Sequence, residues 1–287
     1  MSADLPLVRV GEVDAWGYPV DLVATLDGGQ TFRWWVESAD ALEGFAGPWH
    51  VRLVRDPALP PGTVAGEPPE AAGAVRDLLD LGRNYAALDA DLVRRDPDLA
   101  DVVETTRGLR ISRVSPWEAL LSFLLSSHTH IARIKRMVQA VCQQGEPGPD
   151  GMPRPEQLAA LGEQHLRSLG LGYRAAYLAA TAARLAEQPA WLERGHAMKT
   201  PELVEHLMQL PGVGPKVAEC VALFGYGRWD AFPVDRWVRR ALERRFFGGR
   251  PAAPPRLRTF ARERWGPLAG LAQAHLFAAA RQGARAR

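Results

Sequence analysis

Lys216 and Asp235 stand 235 − 216 = 19 residues apart, beside the tight turn Leu210-Pro211-Gly212-Val213-Gly214. A deprotonated lysine amine is a nucleophile, and desolvation favours that form. Lys216 runs into Val217, Ala218, Cys220, Val221, Ala222 and Leu223, with only Glu219 breaking the apolar character. A cation in the first helical turn opposes the helix dipole, which is unusual for a passive surface residue. Asp235 fits as the N-cap of the next helix, and a carboxylate pinned by capping bonds can stabilise a cationic sugar transition state. Gly212, Val213 and Gly214 form a turn whose backbone can approach a phosphate, next to unsatisfied N–H groups at a helix start. A nucleophilic amine, a fixed negative charge and a phosphate clamp together point to covalent chemistry on a sugar carbon of nucleic acid. Each also has a plainer reading: Lys216 as a snorkelling or phosphate-contacting cation, Asp235 as a cap, the glycines as a helix connection.

These residues need elements to hold them. Residues 22–26 and 31–36 read as strands of a hairpin turning at 27–29, and 49–54 as a further strand. A proline- and glycine-rich loop follows over 57–69, then helical periodicity over 70–81 and 86–103. From residue 109 only helices are expected. Ser115-Pro116-Trp117-Glu118 reads as a capping box with proline at the first helical position. Further helices are expected over 131–142, 155–161, 163–169, 174–187, 200–209, 215–224, 235–246 and 257–281, the last interrupted near Gly266-Pro267. Thr200-Pro201 repeats the cap-plus-proline pattern. The fold class is α+β, mostly α: a small antiparallel sheet domain over 1–108, then a helical region over 109–287 with a helix-hairpin-helix at 201–224.

The net charge of +2 conceals a split. Residues 1–108 carry 9 Lys/Arg against 19 Asp/Glu, and residues 109–287 carry 35 − 9 = 26 against 33 − 19 = 14. The helical part, at +12, suits a polyanionic partner. Two cysteines, Cys142 and Cys220, are too few for an iron–sulfur cluster or a four-thiolate zinc site. No metal and no cofactor is implied. The sequence shows no apolar run long enough for a bilayer and no signal peptide, so a reducing cytoplasm is expected, with no membrane partner.

Six segments, in order, resemble the 8-oxoguanine DNA glycosylase family of the helix-hairpin-helix glycosylases. They are Gly29-Gln30-Thr31-Phe32-Arg33-Trp34, residues 126–134, residues 169–175, residues 210–220, Trp265-Gly266-Pro267 and residues 272–277. The resemblance implies a sheet domain and two helical domains with the active site in the cleft between them. It implies attack by Lys216 on C1′ of the damaged nucleotide, a Schiff base, and strand nicking by β-elimination, with Asp235 in support. Gly29 would offer its carbonyl to the N7–H of 8-oxoguanine, Cys220 and Phe277 would sandwich the flipped base, and Gln273 would bond its Watson–Crick edge. Arg133, Tyr173 and Arg174 would wedge the stack and hold the orphaned cytosine. The partner would be double-stranded DNA containing oxidised guanine, the enzyme a monomer without an obligate protein partner, associated with the nucleoid of a prokaryote-like cytoplasm.

The chain departs from the family pattern in two places. His128, Thr129 and His130 stand where asparagines are usual, which bears on preference for cytosine opposite the lesion. Trp237 stands near phosphate and base, where a histidine is common. Two alternatives stay open: a monofunctional glycosylase for alkylated bases, against which Lys216 speaks, and a DNA-binding hairpin module without chemistry.

Overall fold

A computed structural model describes residues 5–285 of the chain. Five strands form one sheet: β1 (Leu7–Val10), β2 (Trp34–Val36), β3 (Ala41–Ala46), β4 (Trp49–Arg55) and β5 (Val64–Gly66), in the order β2-β3-β4-β1-β5. Pairing is antiparallel except between β1 and β4. Val8, Val10, Val51 and Leu53 point inward at strand period and pack with Val75 and Leu78 of helix α2 (Pro69–Leu78). Gly44 is opposite Trp34 because a Cβ there would sit 2.5 Å from the Trp34 ring.

The first hairpin expectation fails. Residues Leu22–Leu26 are a short helix, α1, whose N-cap Asp21 accepts from the Ala24 N–H at 2.8 Å. A five-residue apolar run has no decisive period, and the local aspartate cap decided it. Only Trp34–Val36 of the expected second strand is β, and it pairs with β3 instead. Strands β1, β3 and β5 lie outside the segments expected as strands, and β5 interrupts the expected loop. The helix expected over 86–103 breaks at Asp96-Pro97, leaving α3 (Tyr85–Arg95) and α4 (Ala100–Thr105).

The helical region follows the expectations closely. It comprises α5 (Pro116–Leu125), α6 (Ile131–Cys142), α7 (Pro155–Leu166), α8 (Arg174–Glu187), α9 (Trp191–Arg194), α10 (Thr200–Leu207), α11 (Pro215–Cys220), α12 (Arg236–Phe246), α13 (Pro254–Trp265) and α14 (Ala269–Arg285). The expected break near 162 is a kink at Gly162, φ 71°. Ser115 caps α5, accepting from Glu118 N–H at 3.0 Å, but the box does not close. The Glu118 carboxylate turns instead to Arg33, at 3.1 Å, across the junction with the sheet. Burial raises the Glu118 pKa and the Arg33 charge opposes that. Thr200 is the first residue of α10 rather than its cap, and its hydroxyl donates to Asp230 at 2.6 Å.

Two apolar clusters fill the molecule. The smaller lies under the sheet. The larger joins the helical region to Tyr85, Leu92, Leu99 and Val102, so hydrophobic packing and net charge change over at different points of the chain.

Candidate active site

The hairpin of residues 210–214 is held by conformation and by α8. Gly212 has φ 77°, and a Cβ on it would lie 2.5 Å from Tyr177 Cγ. Thr181 of α8 donates to the Pro211 carbonyl at 3.2 Å. Val213 is buried, and its N–H is already spent on the Leu210 carbonyl at 3.1 Å. Pro215 opens α11, whose N-cap Gly214 leaves the backbone bare at the cleft wall. Gly212→Ala is expected to cost about 2–4 kcal/mol, from left-handed strain plus overpacking against the root of the Tyr177 side chain. Chemical denaturation of the two proteins checks this.

Lys216 projects into a cleft of about 1150 Å³. Its Nζ donates to Ser126 Oγ at 3.1 Å and lies 5.0 Å from the centre of the Phe123 ring. The Ser126 hydroxyl in turn donates to the Phe123 carbonyl at 2.6 Å. That leaves Ser126 lone pairs to hold the amine, which is thereby aimed rather than left to snorkel. Glu219, one turn further into α11, is turned inward and buried. It accepts from the Phe232 N–H and pairs with Arg262 at 2.8 Å. Burial raises its pKa, countered by that backbone bond and by Arg262 and Arg258. Through Phe232 it ties α11 to the segment that leads into Asp235.

Asp235 lies in the wall of the same cleft and caps α12, accepting from Trp237 and Val238 N–H at 2.9 and 2.8 Å. Burial raises its pKa, while the Val238 bond and the Lys216 charge pull it back. Burial likewise pushes the Cys220 thiol up to about 11, so it faces the cleft as a neutral, weakly polar wall.

Gly29, Gln273, Phe277, Trp237, Arg133, His128, His130, Gly212 and Gly214 all line this cleft with Lys216, Asp235 and Cys220. Gln273 is buried and donates to the Pro233 carbonyl at 3.3 Å. His128 adopts φ 48°, and His130 serves as N-cap of α6 through Nδ1, which accepts from Arg133 N–H at 3.3 Å. Trp237 lies under the Arg236 guanidinium at 5.2 Å. Tyr173, Arg174 and Val213 are outside the lining. Tyr173 is 46% exposed, and its hydroxyl donates to the Ser127 carbonyl at 3.3 Å. Arg174 is buried and donates to the same carbonyl, bracing the 126–130 loop from behind.

Sequence reasoning passed over Phe123, Ser126, Gly28, Ile131 and Arg281, which also line the cleft. Ser126 begins the segment 126–134, but no spacing rule links it to Lys216, 90 residues away.

Residues 17–120 match the family described as 8-oxoguanine DNA glycosylase, N-terminal domain, and residues 121–267 match the HhH-GPD superfamily of base excision DNA repair proteins. The chain belongs to the 8-oxoguanine DNA glycosylase family of that superfamily. It is 35% identical over 232 residues to the N-glycosylase/DNA lyase OGG1 of Arabidopsis thaliana, a match that spans 76% of this chain and 64% of the plant protein. A probable N-glycosylase/DNA lyase of Methanothermobacter thermautotrophicus is 32% identical over 65% of this chain and 68% of its own. The Clostridium acetobutylicum 8-oxoguanine glycosylase/lyase, solved with duplex DNA containing cytosine opposite 8-oxoguanine, superposes with TM-score 0.82 at 30% identity. That superposition covers 92% of this chain and 93% of the clostridial one.

Proposed function

We propose that this protein is a bifunctional DNA glycosylase/AP lyase that excises 8-oxoguanine from duplex DNA. The observation that carries the proposal is the meeting of the Lys216 amine and the Asp235 carboxylate in one cleft wide enough for a nucleoside. Flipping the nucleotide out costs about a few kcal/mol, offset by stacking and phosphate contacts. The hairpin at Gly212 and Gly214 takes a backbone phosphate, and Tyr173 and Arg133 support the vacated stack, with His128 and His130 on the same rim; the buried Arg174 serves them indirectly, by bracing the loop at the Ser127 carbonyl. Phe277 and the neutral Cys220 thiol face the two sides of the base, Gln273 its polar edge, Gly29 its N7 side, and Trp237 the adjoining wall.

The Lys216 nitrogen lone pair forms a bond to C1′ as the C1′–N bond breaks; the base leaves with that electron pair and takes up the proton that the newly bonded nitrogen sheds. The carboxylate of Asp235 stabilises positive charge at the sugar. Ring opening gives the Schiff base. Loss of a C2′ proton then breaks the C3′–O bond, and water releases the lysine. The division at residue 108 is proposed as a change of charge, the basic part facing DNA. We place the protein at the nucleoid, in a cytoplasm. Among the described residues no helix is long and apolar enough to cross a membrane.

The test is incubation of the protein with an 8-oxoguanine:cytosine duplex. Free 8-oxoguanine and a nicked strand are expected together. Base release without nicking would refute the bifunctional mechanism, and no release would refute the substrate. Rates opposite cytosine and opposite the other bases are expected to differ by less than about tenfold, because His128, Thr129 and His130 stand where the resembled family carries the asparagines beside the orphaned base. Strict cytosine preference, measured by single-turnover excision, would overturn that expectation.

A further inference from the structure

The turn at residues 27–29 is held from both sides by cations. Asp27 is the C-cap of α1, its N–H bonded to the Val23 carbonyl at 2.9 Å. Gly28 follows so close to the helix end that a Cβ would fall 2.0 Å from the Ala24 carbonyl oxygen. Gly29 is left-handed, φ 101°, with Ile131 Cδ1 2.6 Å from where its Cβ would be. One turn along the same face of α6 comes Lys135, which is 8% exposed. Its ammonium donates to the Asp27 carboxylate and to the Trp34 carbonyl. On the other side Arg281 of α14 donates to the Gly28 carbonyl, with its guanidinium 5.6 Å from the Phe277 ring. Gln30 closes the frame, donating to the Arg110 carbonyl at 2.8 Å and accepting from Ser112 N–H at 2.9 Å.

A nearly buried lysine is costly to desolvate unless a carboxylate meets it, and Asp27 does. Both partners are thus committed to one geometry, and that geometry fixes where the Gly29 peptide stands in the cleft. A hydrogen-bond acceptor that must tell an N–H from a lone pair needs its position fixed to a fraction of an ångström. We propose that the Lys135–Asp27 pair is a specificity-determining clasp that sets the Gly29 peptide against the base. Lys135 touches neither sugar nor lysine nucleophile. It acts through the turn, as a positioning residue for base recognition. This inference rests on the excision function proposed above.

The two steps of that function separate the roles. Nicking at an abasic site uses Lys216 and Asp235 but has no base to recognise. In Lys135→Met, single-turnover excision of 8-oxoguanine is expected to fall by about ten- to a hundredfold, while nicking of an abasic duplex stays within about twofold. Discrimination between 8-oxoguanine and guanine should narrow in parallel. Equal loss of both activities, or no loss of either, overturns the clasp. If Lys135→Met does not fold, because the half-buried Asp27 is left without its cation, the double variant Asp27→Asn/Lys135→Met removes both charges and carries the same comparison. A wild-type chain that excises no 8-oxoguanine sinks the parent reading and this inference with it. Wild-type excision with an unaffected variant sinks the inference alone.

Discussion

Lys216→Gln is expected to abolish the covalent protein–DNA adduct that borohydride traps on an 8-oxoguanine:cytosine duplex. The reduction fixes an imine between a primary amine and C1′, and an amide nitrogen cannot form one. Base release should fall at least about a thousandfold, because the nucleophile itself is removed rather than one supporting contact. Folding should survive. Lys216 is half-buried, its head group makes one hydrogen bond to Ser126, and glutamine retains a polar head of shorter reach. A stability change within about 1 kcal/mol is expected. Binding to lesion duplex should persist, since the hairpin and the basic surface are untouched. Fluorescence anisotropy, thermal melting and gel trapping on one preparation settle the matter. An adduct that persists in the variant would move the nucleophile to another residue, and the proposed mechanism would be wrong.

Asp235→Asn comes second in expected size, with opposite effects on catalysis and stability. Asparagine caps a helix as well as aspartate does, so the bonds to Trp237 and Val238 N–H remain available. The wild-type carboxylate carries a raised pKa because it is buried. For an acid whose folded pKa lies above the unfolded value, the ionised form opposes folding. That penalty is fully present above the folded pKa and vanishes as pH falls below the unfolded pKa. At neutral pH the asparagine variant should therefore melt at the same temperature or higher, and this advantage should shrink in acid. Excision should nevertheless fall by about a hundredfold or more, since no anion faces the sugar as it becomes cationic. In the wild type, the same raised pKa predicts an acid limb of the excision–pH profile that begins above the range of an ordinary aspartate. A variant that excises at the wild-type rate would reduce Asp235 to a cap. One that unfolds would show that the carboxylate, not the capping geometry, holds α12.

The residues named at the outset were legible because their signals are local. Ser115-Pro116, Asp235 and the glycine turn announce helix ends within four or five residues, and the structure places helix starts at Pro116, Pro215 and Arg236 accordingly. Lys216 stood out because a cation began an apolar helix. The misreadings were also local: α1 looked like a strand because five apolar residues carry no period, and Glu118 looked like half of a capping box because its spacing fits one. What overruled the second was Arg33, 85 residues away in sequence.

By itself, then, the sequence determined the helical frame, the lysine–aspartate pair, the glycine turn beside them and the segregation of charge, all set by neighbours along the chain or by composition. Tertiary structure alone decided how Ser126 holds Lys216, how Glu219 fastens α11 to the approach to Asp235, and how Lys135 and Arg281 close on the 27–29 turn. Those contacts join residues between 13 and 253 positions apart. A buried polar group takes whichever partner the packed core brings within hydrogen-bonding reach, and only the folded chain specifies that partner.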